Sequence, residues 1–257
     1  MSTDKQQAIA LITGGSRGLG KSMALRLAER GVDSIITYRA AAGEAQAVVS
    51  EIERNPGRRA IALPLDVADS SSFGSFAESL RAELDRTWKR SSFDYLVNNA
   101  GVGAHANFAE TTEAQFDELM RVHLKGPFFL TQKLLPLIAD GGHILNVSSG
   151  LARFTFPGYG AYAAMKGGIE VLTRYQAKEL GARQISVNTL APGAIETDFG
   201  GGRVRDNSDL NKLIASGIAL GRVGLPDDIG NAVALLLSPE SSWINGQRIE
   251  VSGGQML

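Results

Sequence analysis

The sequence predicts a doubly wound α/β fold, with about seven parallel strands and helices on both faces. Three observations predict it. Short apolar, β-rich runs alternate with longer stretches of helical periodicity along the whole chain. The strand candidates are almost continuously apolar, as central parallel strands buried on both sides must be. The first of them ends in a glycine-rich turn that opens a helix, ITGGSRGLGKSMAL (12–25).

The elements follow in order. IALIT (9–13), SIITY (34–38) and AIALPL (60–65) read as the first three strands, with Pro64 marking an irregular or exposed end of the third. FDYLVN (93–98), HILNV (143–147), ISVNTL (185–190) and RIEVSGG (248–254) read as the other four. KSMALRLAER (21–30) and GEAQAVVSEIER (43–54) are helical patterns between them. FDELMRVHLKGPFFLTQKLLPLIA (116–139) reads as one long helix that carries Gly126-Pro127. YAAMKGGIEVLTRYQAKELG (162–181) and DIGNAVALLLS (228–238) complete the set. DRTWKRSS (85–92) reads as a charged surface insertion. No repeat, low-complexity tract or linker divides the chain, so a single domain spanning 1–257 is expected.

Composition removes several functions. A net charge of −1 gives no electrostatic hold on nucleic acid or a membrane surface. With no cysteine, disulfides, thiol catalysis and Cys-based zinc sites are excluded. His105, His123 and His143 lie apart and form no metal motif, so no metal is expected. The start, MSTDKQQAIALITGG, is too polar for a signal peptide, and no apolar run approaches the roughly 20 residues of a membrane span. A cytoplasmic protein is expected.

Two clusters carry chemistry. The glycine spacing Gly14-x3-Gly18-x-Gly20 lets backbone approach a pyrophosphate, while the next helix presents free N–H groups and a positive dipole end. In GYGAYAAMKGG (158–168), Tyr162 and Lys166 stand four apart and so meet on one helical face. Tyr159 lies seven before Lys166 and precedes the helix proper, after Pro157 and Gly158. An ammonium beside a phenol favours phenolate, which would draw the Tyr162 pKa down from about 10.

The spacing is not the common G-x-G-x-x-G fingerprint; it resembles the TGxxxGxG of the short-chain dehydrogenase/reductase family, classical type. The likeness extends over nearly the whole chain: Asp66 in LPLDVAD (63–69), NNAG (98–101), NVSS (146–149), Tyr162 and Lys166, NTLAPGAIETD (188–198) and GQRIEVSGG (246–254). It implies a Rossmann-like sheet and an oxidoreductase that interconverts a ketone and a secondary alcohol. Ser149 would hold the carbonyl oxygen, Tyr162 would exchange its proton, and Lys166 would also hold the cofactor ribose. Gly14, Ser16, Arg17, Gly18, Leu19, Gly20, Tyr38, Arg39, Asp66, Val67, Asn99, Ala100, Gly101, Tyr162, Lys166, Pro192, Gly193, Ile195 and Thr197 would hold the cofactor. Ser149, Tyr159 and Tyr162 would meet substrate.

The sequence departs from that family in one catalytic position. Where V-N-x-x-G is usual, with its asparagine completing a tetrad, this chain reads RVHLKG (121–126), placing His123 there. His123 is either a structural stand-in, a titrating member of the proton relay, or a lesion that leaves a cofactor-binding sensor or scaffold. The second strand ends in Tyr38-Arg39 rather than the acid that selects NAD(H), and Arg17 precedes Gly18. This favours NADP(H) over NAD(H), with an NAD-dependent alcohol or sugar dehydrogenase as the alternative. Residues 194–220, with three consecutive glycines, are expected to form a mobile substrate lid. Arg203 and Arg205 are offered there as contacts to an anionic substrate, and His105 as a substrate contact or surface residue. The stretch after NNAG does not resemble the usual β-ketoacyl-carrier-protein reductase, and sugars, quinones, steroids and small ketones stay open. The family resemblance also implies a homotetramer or homodimer through the two long helices and C-terminal region.

Overall fold

The computed structural model describes residues 7–257, so the reading of the first six residues lies outside it. Seven strands form one sheet: β1 (Ile9–Ile12), β2 (Asp33–Tyr38), β3 (Ala60–Pro64), β4 (Phe93–Asn98), β5 (Ile138–Val147), β6 (Ser186–Pro192) and β7 (Arg248–Val251). Their order is β3-β2-β1-β4-β5-β6-β7, and every neighbouring pair is parallel. Pro64 ends β3 at the sheet edge, where a missing N–H costs no ladder bond.

The alternation of side chains along each strand builds two cores. Ala10, Ile12, Ile36, Val97 and Leu145 face one side and meet Met23, Leu27, Val48, Ile229 and Val233. These come from α1 (Gly18–Glu29), α2 (Ala42–Ile52) and α7 (Pro226–Leu236). Ile9, Leu11, Ile35, Leu96 and Ile144 face the other side. They meet Phe73, Leu80 and Leu84 of α3 (Phe73–Trp88) and Leu130 and Leu134 of α5 (Gly126–Leu134). The third core-facing helix on this side is α6 (Gly160–Leu180), which contributes Ala177.

Three local readings need correction. The stretch 85–92 is no insertion: it closes α3, a helix the sequence reading passed over, and Lys89 ends it in the left-handed region. Trp88 Nε1 donates to the buried Asp33 carboxylate at 2.7 Å, which anchors that helix end to β2. β5 begins five residues early, at Ile138, and absorbs them through an irregular register between Phe93 and Tyr95 of β4.

The stretch 116–139 is not one α-helix either. It divides into α4 (Glu113–Met120), a π-helical turn over Arg121–Lys125, and α5, with a tight turn at Leu135–Leu137. Pro127 supplies the reason. It has no N–H to offer the carbonyl of His123 four residues back, and its ring crowds that carbonyl. The helix widens instead, with the Gly126 N–H bonding the Arg121 carbonyl. Gly126 is also a contact point, since a Cβ there would collide with the carbonyl oxygen of Val67 in the loop after β3. Gly126→Ala should therefore lower stability by about 2 kcal/mol, as overpacking at a close backbone approach does. The check is a lower urea midpoint with an unchanged slope.

Candidate functional site

Strand order reverses between β1 and β4, and the carboxyl ends of the strands open a crevice there. The loop after β1 lies in it. A Cβ on Gly20 would strike the Gly14 carbonyl and come within 2.7 Å of Asn99 Nδ2. Gly14, at φ +67°, sits against Ala100. Asn99 donates to the carbonyls of Thr13 (2.8 Å) and Gly14 (3.2 Å). No side chain caps α1, whose first N–H groups are left for an anion. This cradle fits a dinucleotide pyrophosphate on its own geometry.

The other residues expected to hold a cofactor surround the same crevice. Thr197 faces Gly18, with its methyl 3.9 Å from where a Cβ would stand. The Asp66 carboxylate accepts from Ala68 N–H at 2.9 Å, and Val67 follows it beside Gly126. Pro192 ends β6, the Gly193 N–H bonds Val251, and Ile195 pairs with Gly224. Leu19 packs on the core, while Ser16 stays half-exposed in the loop. Tyr38 ends β2, and Arg17 and Arg39 are exposed.

Ser149, Tyr162 and Lys166 converge. Ser149 caps the tight turn after β5, accepting from Leu151 N–H at 3.2 Å. Tyr159 is the N-cap position of α6, which puts Tyr162 and Lys166 in its first two turns. Tyr162 is 7% exposed and Lys166 5%. The Lys166 Nζ lies 5.6 Å from the phenol ring centre and donates to the Val147 carbonyl at 2.6 Å. Burial pushes the Lys166 amine down to about 7. Burial also pushes the Tyr162 phenol well above its usual value, with the Ser149 hydroxyl beside it pulling weakly the other way. The lowered phenol expected from the sequence is thus reversed, because loss of solvation outweighs a lysine that is itself only partly charged at neutral pH.

His123 sits in the π-helical turn, 2% exposed. Its ring meets the Tyr162 ring edge-on, at 5.1 Å and 85°. Nε2 lies 2.7 Å from the Val102 carbonyl, to which it donates in the Nε2–H tautomer, and 3.3 Å from the Val102 N–H. Nδ1 is a buried acceptor with no partner among the described residues. Burial first, and Lys166 second, push His123 down to about 3. Neutral throughout the physiological range, it fits the structural stand-in better than the titrating relay member. A Cβ on Gly101 would lie 2.9 Å from the imidazole, so that glycine leaves room for the larger ring.

Tyr159 stands beside the site, with His105 edge-on to it at 5.1 Å. Arg205 is not free for an anionic substrate; it is paired with Asp198 and Asp206. Sequence reasoning missed Phe199, whose ring lies 5.9 Å from that of Tyr162. It also missed Ser148, which bonds Glu170 at 2.7 Å, one turn beyond Lys166. An aromatic beside the glycine triplet was the only available signal for Phe199.

Known proteins resemble this chain in sequence and fold. A family model described as enoyl-(acyl carrier protein) reductase matches residues 14–256. The hydroxynaphthalene reductase-like protein Arp2 of Metarhizium brunneum (strain ARSEF 3297) is 35% identical, over 96% of this chain and 94% of its own. The promiscuous reductase LugOII, which catalyses keto-reduction at C1 during lugdunomycin biosynthesis, superposes with a TM-score of 0.92 at 34% identity, covering 99% of this chain and 100% of its own. The angucycline C-6 ketoreductase LanV, solved with bound NADP, superposes at 0.91 and 34% identity over 97% of this chain and 95% of its own.

The buried histidine sets an acid limit on stability. Its folded pKa lies below its unfolded value of about 6.5, so the contribution is complete above pH 6.5 and is lost as pH falls toward 3. Between pH 6.5 and 5 the unfolded chain gains a proton that the native His123 refuses, a loss of about 2 kcal/mol. His123→Asn should remove that part of the slope. Urea midpoints at pH 5 and pH 7 for both proteins measure it.

Proposed function

Because the chain belongs to the short-chain dehydrogenase/reductase family, we propose that it is an NADP(H)-dependent reductase of ketones, with Tyr162 as the general acid. The reaction class, interconversion of a carbonyl and an alcohol, follows from the family and its named reductases. The single observation that carries the mechanism is the convergence of Ser149, Tyr162 and Lys166 at the carboxyl end of β5 and the start of α6.

The reduced nicotinamide, when bound, supplies the hydride. The chain's own residues handle the oxygen. Ser149 Oγ donates a hydrogen bond to the substrate carbonyl and fixes its position. Tyr162, which burial keeps protonated, gives its proton to that oxygen as it becomes an alkoxide. Lys166 then stabilises the phenolate, and its loosely held proton, near pKa 7, is available to restore the phenol. A proton-loaded phenol suits reduction more than oxidation. His123 acts as a neutral anchor, its Nε2–H holding the loop at Val102 while its ring edge supports Tyr162. A disabled sensor is the weaker reading, since the reacting trio is complete.

NADP(H) is supported by Arg17 and Arg39. Both are exposed beside the crevice, and neither makes an ion pair among the described residues. Guanidinium groups match a 2′-phosphate, and no acid at the end of β2 competes for the ribose. Residues 194–220 serve as the lid. A homotetramer is supported by the exposed Phe128, Phe129, Val171 and Tyr175 on α5 and α6 and by the exposed Trp243 and Leu257 near the C-terminus. No helix of the described residues is long and apolar enough to cross a membrane, and a cytoplasmic enzyme is our reading. A free ketone and a carrier-bound 3-oxoacyl chain both satisfy this mechanism.

Tyr162→Phe should cut NADPH-dependent ketone turnover by about 10²–10⁴-fold, the range for a lost general acid, while NADPH binding followed by fluorescence persists. Turnover within tenfold of the parent refutes Tyr162 as the acid. Arg17→Ala with Arg39→Ala should weaken NADPH binding at least tenfold, because charged hydrogen bonds contribute about 1.5–3 kcal/mol each. NADH binding should move less than threefold. Equal losses for the two cofactors would point to a damaged loop rather than a lost phosphate contact.

A further inference from the structure

The strip that follows β7 carries both ends of the lid. At the near end, Gln255 Oε1 accepts from the Ala194 N–H at 2.9 Å. Gly193, one residue earlier, has no side chain because a Cβ there would stand 2.8 Å from that oxygen and 2.8 Å from the Cα of Ser252. At the far end, Ile218 pairs with Gln255 in an isolated antiparallel bridge. The N–H groups of Ala219 and Leu220 bond the carbonyls of Gly254 (3.2 Å) and Gly253 (3.0 Å), and the Met256 N–H bonds the Gly217 carbonyl (2.9 Å). The lid therefore leaves one support and returns to it.

Gln255 is where these ties cross. It is polar yet only 4% exposed. Its N–H bonds the Ser252 hydroxyl at 3.2 Å. Its carbonyl accepts at 2.8 Å from Arg153, in the loop that follows Ser149. Burying an amide costs more than burying a hydrocarbon of the same length unless the amide finds a partner. The Ala194 N–H is such a partner. Ile195 and Thr197 follow Ala194 directly, and Thr197 faces Gly18 across the crevice.

We propose that Gln255 is a positioning residue for the nicotinamide half of the cofactor, pinning the strip 194–197 before the cofactor arrives. The proposal rests on the reading of this crevice as a dinucleotide site. A segment ordered in advance costs less entropy on binding than one the ligand must order. Gly224 bonds the same strip through the Ala194 carbonyl (3.0 Å) and the Glu196 N–H (2.9 Å), and the Ala194 N–H is left to Gln255. Without that acceptor the N–H is a half-buried donor lacking a partner, and the strip relaxes to find one. Because Ile218 rests on the same residue, a lid movement at its far end also moves the support of Ala194. The glycine loop takes its bonds from Thr37 and Asn99 instead, so the adenosine half has no such dependence.

The test compares two ligands that share the phosphorylated adenosine and differ in the nicotinamide: NADPH and adenosine 2′,5′-bisphosphate, each titrated by calorimetry. Gln255→Met keeps the length of the side chain and removes the acceptor. It should weaken NADPH by about fivefold, the scale of one lost hydrogen bond, and the bisphosphate by no more than about twofold. Gln255→Asn, one methylene too short to reach, should do the same and carries the test if the methionine variant does not fold. Gln255→Glu keeps an acceptor at the same reach and should hold the ratio of the two affinities near that of the parent. Hydrogen exchange reads the strip without any ligand: peptides covering 194–199 should exchange faster in Gln255→Met, and those covering 9–20 should not. Equal weakening of the two ligands overturns the proposal, since that is a general loss of structure. So does no weakening of either, unchanged exchange at 194–199, or a glutamate variant that behaves as the methionine one. A wild type that binds neither ligand refutes the cofactor reading itself.

Discussion

The site depends first on a lock between the two halves of the sheet. At the point where strand order reverses, the Thr13 hydroxyl accepts from the N–H groups of both Asn99 and Ala100, at 2.9 and 3.0 Å. It donates in turn to the Val97 carbonyl. Asn99 returns the contact by donating to the carbonyls of Thr13 and Gly14. Five bonds thus join the backbone bond from the Thr13 N–H to the Val97 carbonyl (3.0 Å) in tying the end of β1 to the end of β4. The glycine loop on one side and the loop carrying Gly101 and Val102 on the other are both held from this point. Gly20 has no side chain because Asn99 and the Gly14 carbonyl already fill its space. An anion cradle and a catalytic wall are set at fixed separation by one hydroxyl and one amide.

Burial then sets the chemistry. Lys166, Tyr162 and His123 are three ionisable groups packed in contact with one another and almost without solvent. Charge is costly there, so each moves toward its neutral form: the lysine down, the phenol up, the histidine far down. Burial lowers the two cations by similar amounts; the lysine, starting from 10.5, keeps partial charge near neutral pH, and the histidine, starting from 6.5, keeps none. One proton-bearing acid with a labile neighbour is the result, and the neutral imidazole adds no competing charge. This division of roles follows from solvation and packing rather than from the pairwise attraction of an ammonium for a phenolate.

Much of this was legible in the sequence, and the boundary of legibility has a physical cause. The strands were readable because a parallel sheet covered on both faces demands continuous apolar runs, as at Ile9–Ile12 and Tyr95–Val97. The glycine loop and the Tyr162–Lys166 pair were readable because local spacing fixes them. α3 was legible and passed over: Phe73, Phe76, Leu80 and Leu84 stand 3, 4 and 4 apart, the spacing of an amphipathic helix. The π-helical turn needed knowledge of what Pro127 does to the carbonyl four residues back. Pairings between distant segments, such as Phe199 with Gly103 or Trp88 with Asp33, leave no local trace. The direction of the Tyr162 shift depended on how much water the fold excludes, which spacing does not encode.

The remaining tie runs from the catalytic loop to the chain end. Ser148, beside Ser149, donates to Glu170, which lies eight residues after Tyr162 on the same face of α6. Glu170 also accepts from Arg248 on β7, and Arg248 reaches Glu250. Glu250 accepts from Arg153 in the loop that follows Ser149, which its two arginines keep ionised down to about pH 2. Arg153 closes the path on the carbonyls of Gln255 and Met256. Isolated surface pairs contribute little, but this chain of partly buried bonds begins and ends on one short loop. The loop that carries Ser149 is therefore tied to α6 through Ser148, to β7 through Arg248, and to the C-terminal segment through Arg153. The serine and the tyrosine stand on different elements, and the ionic path ties those elements together.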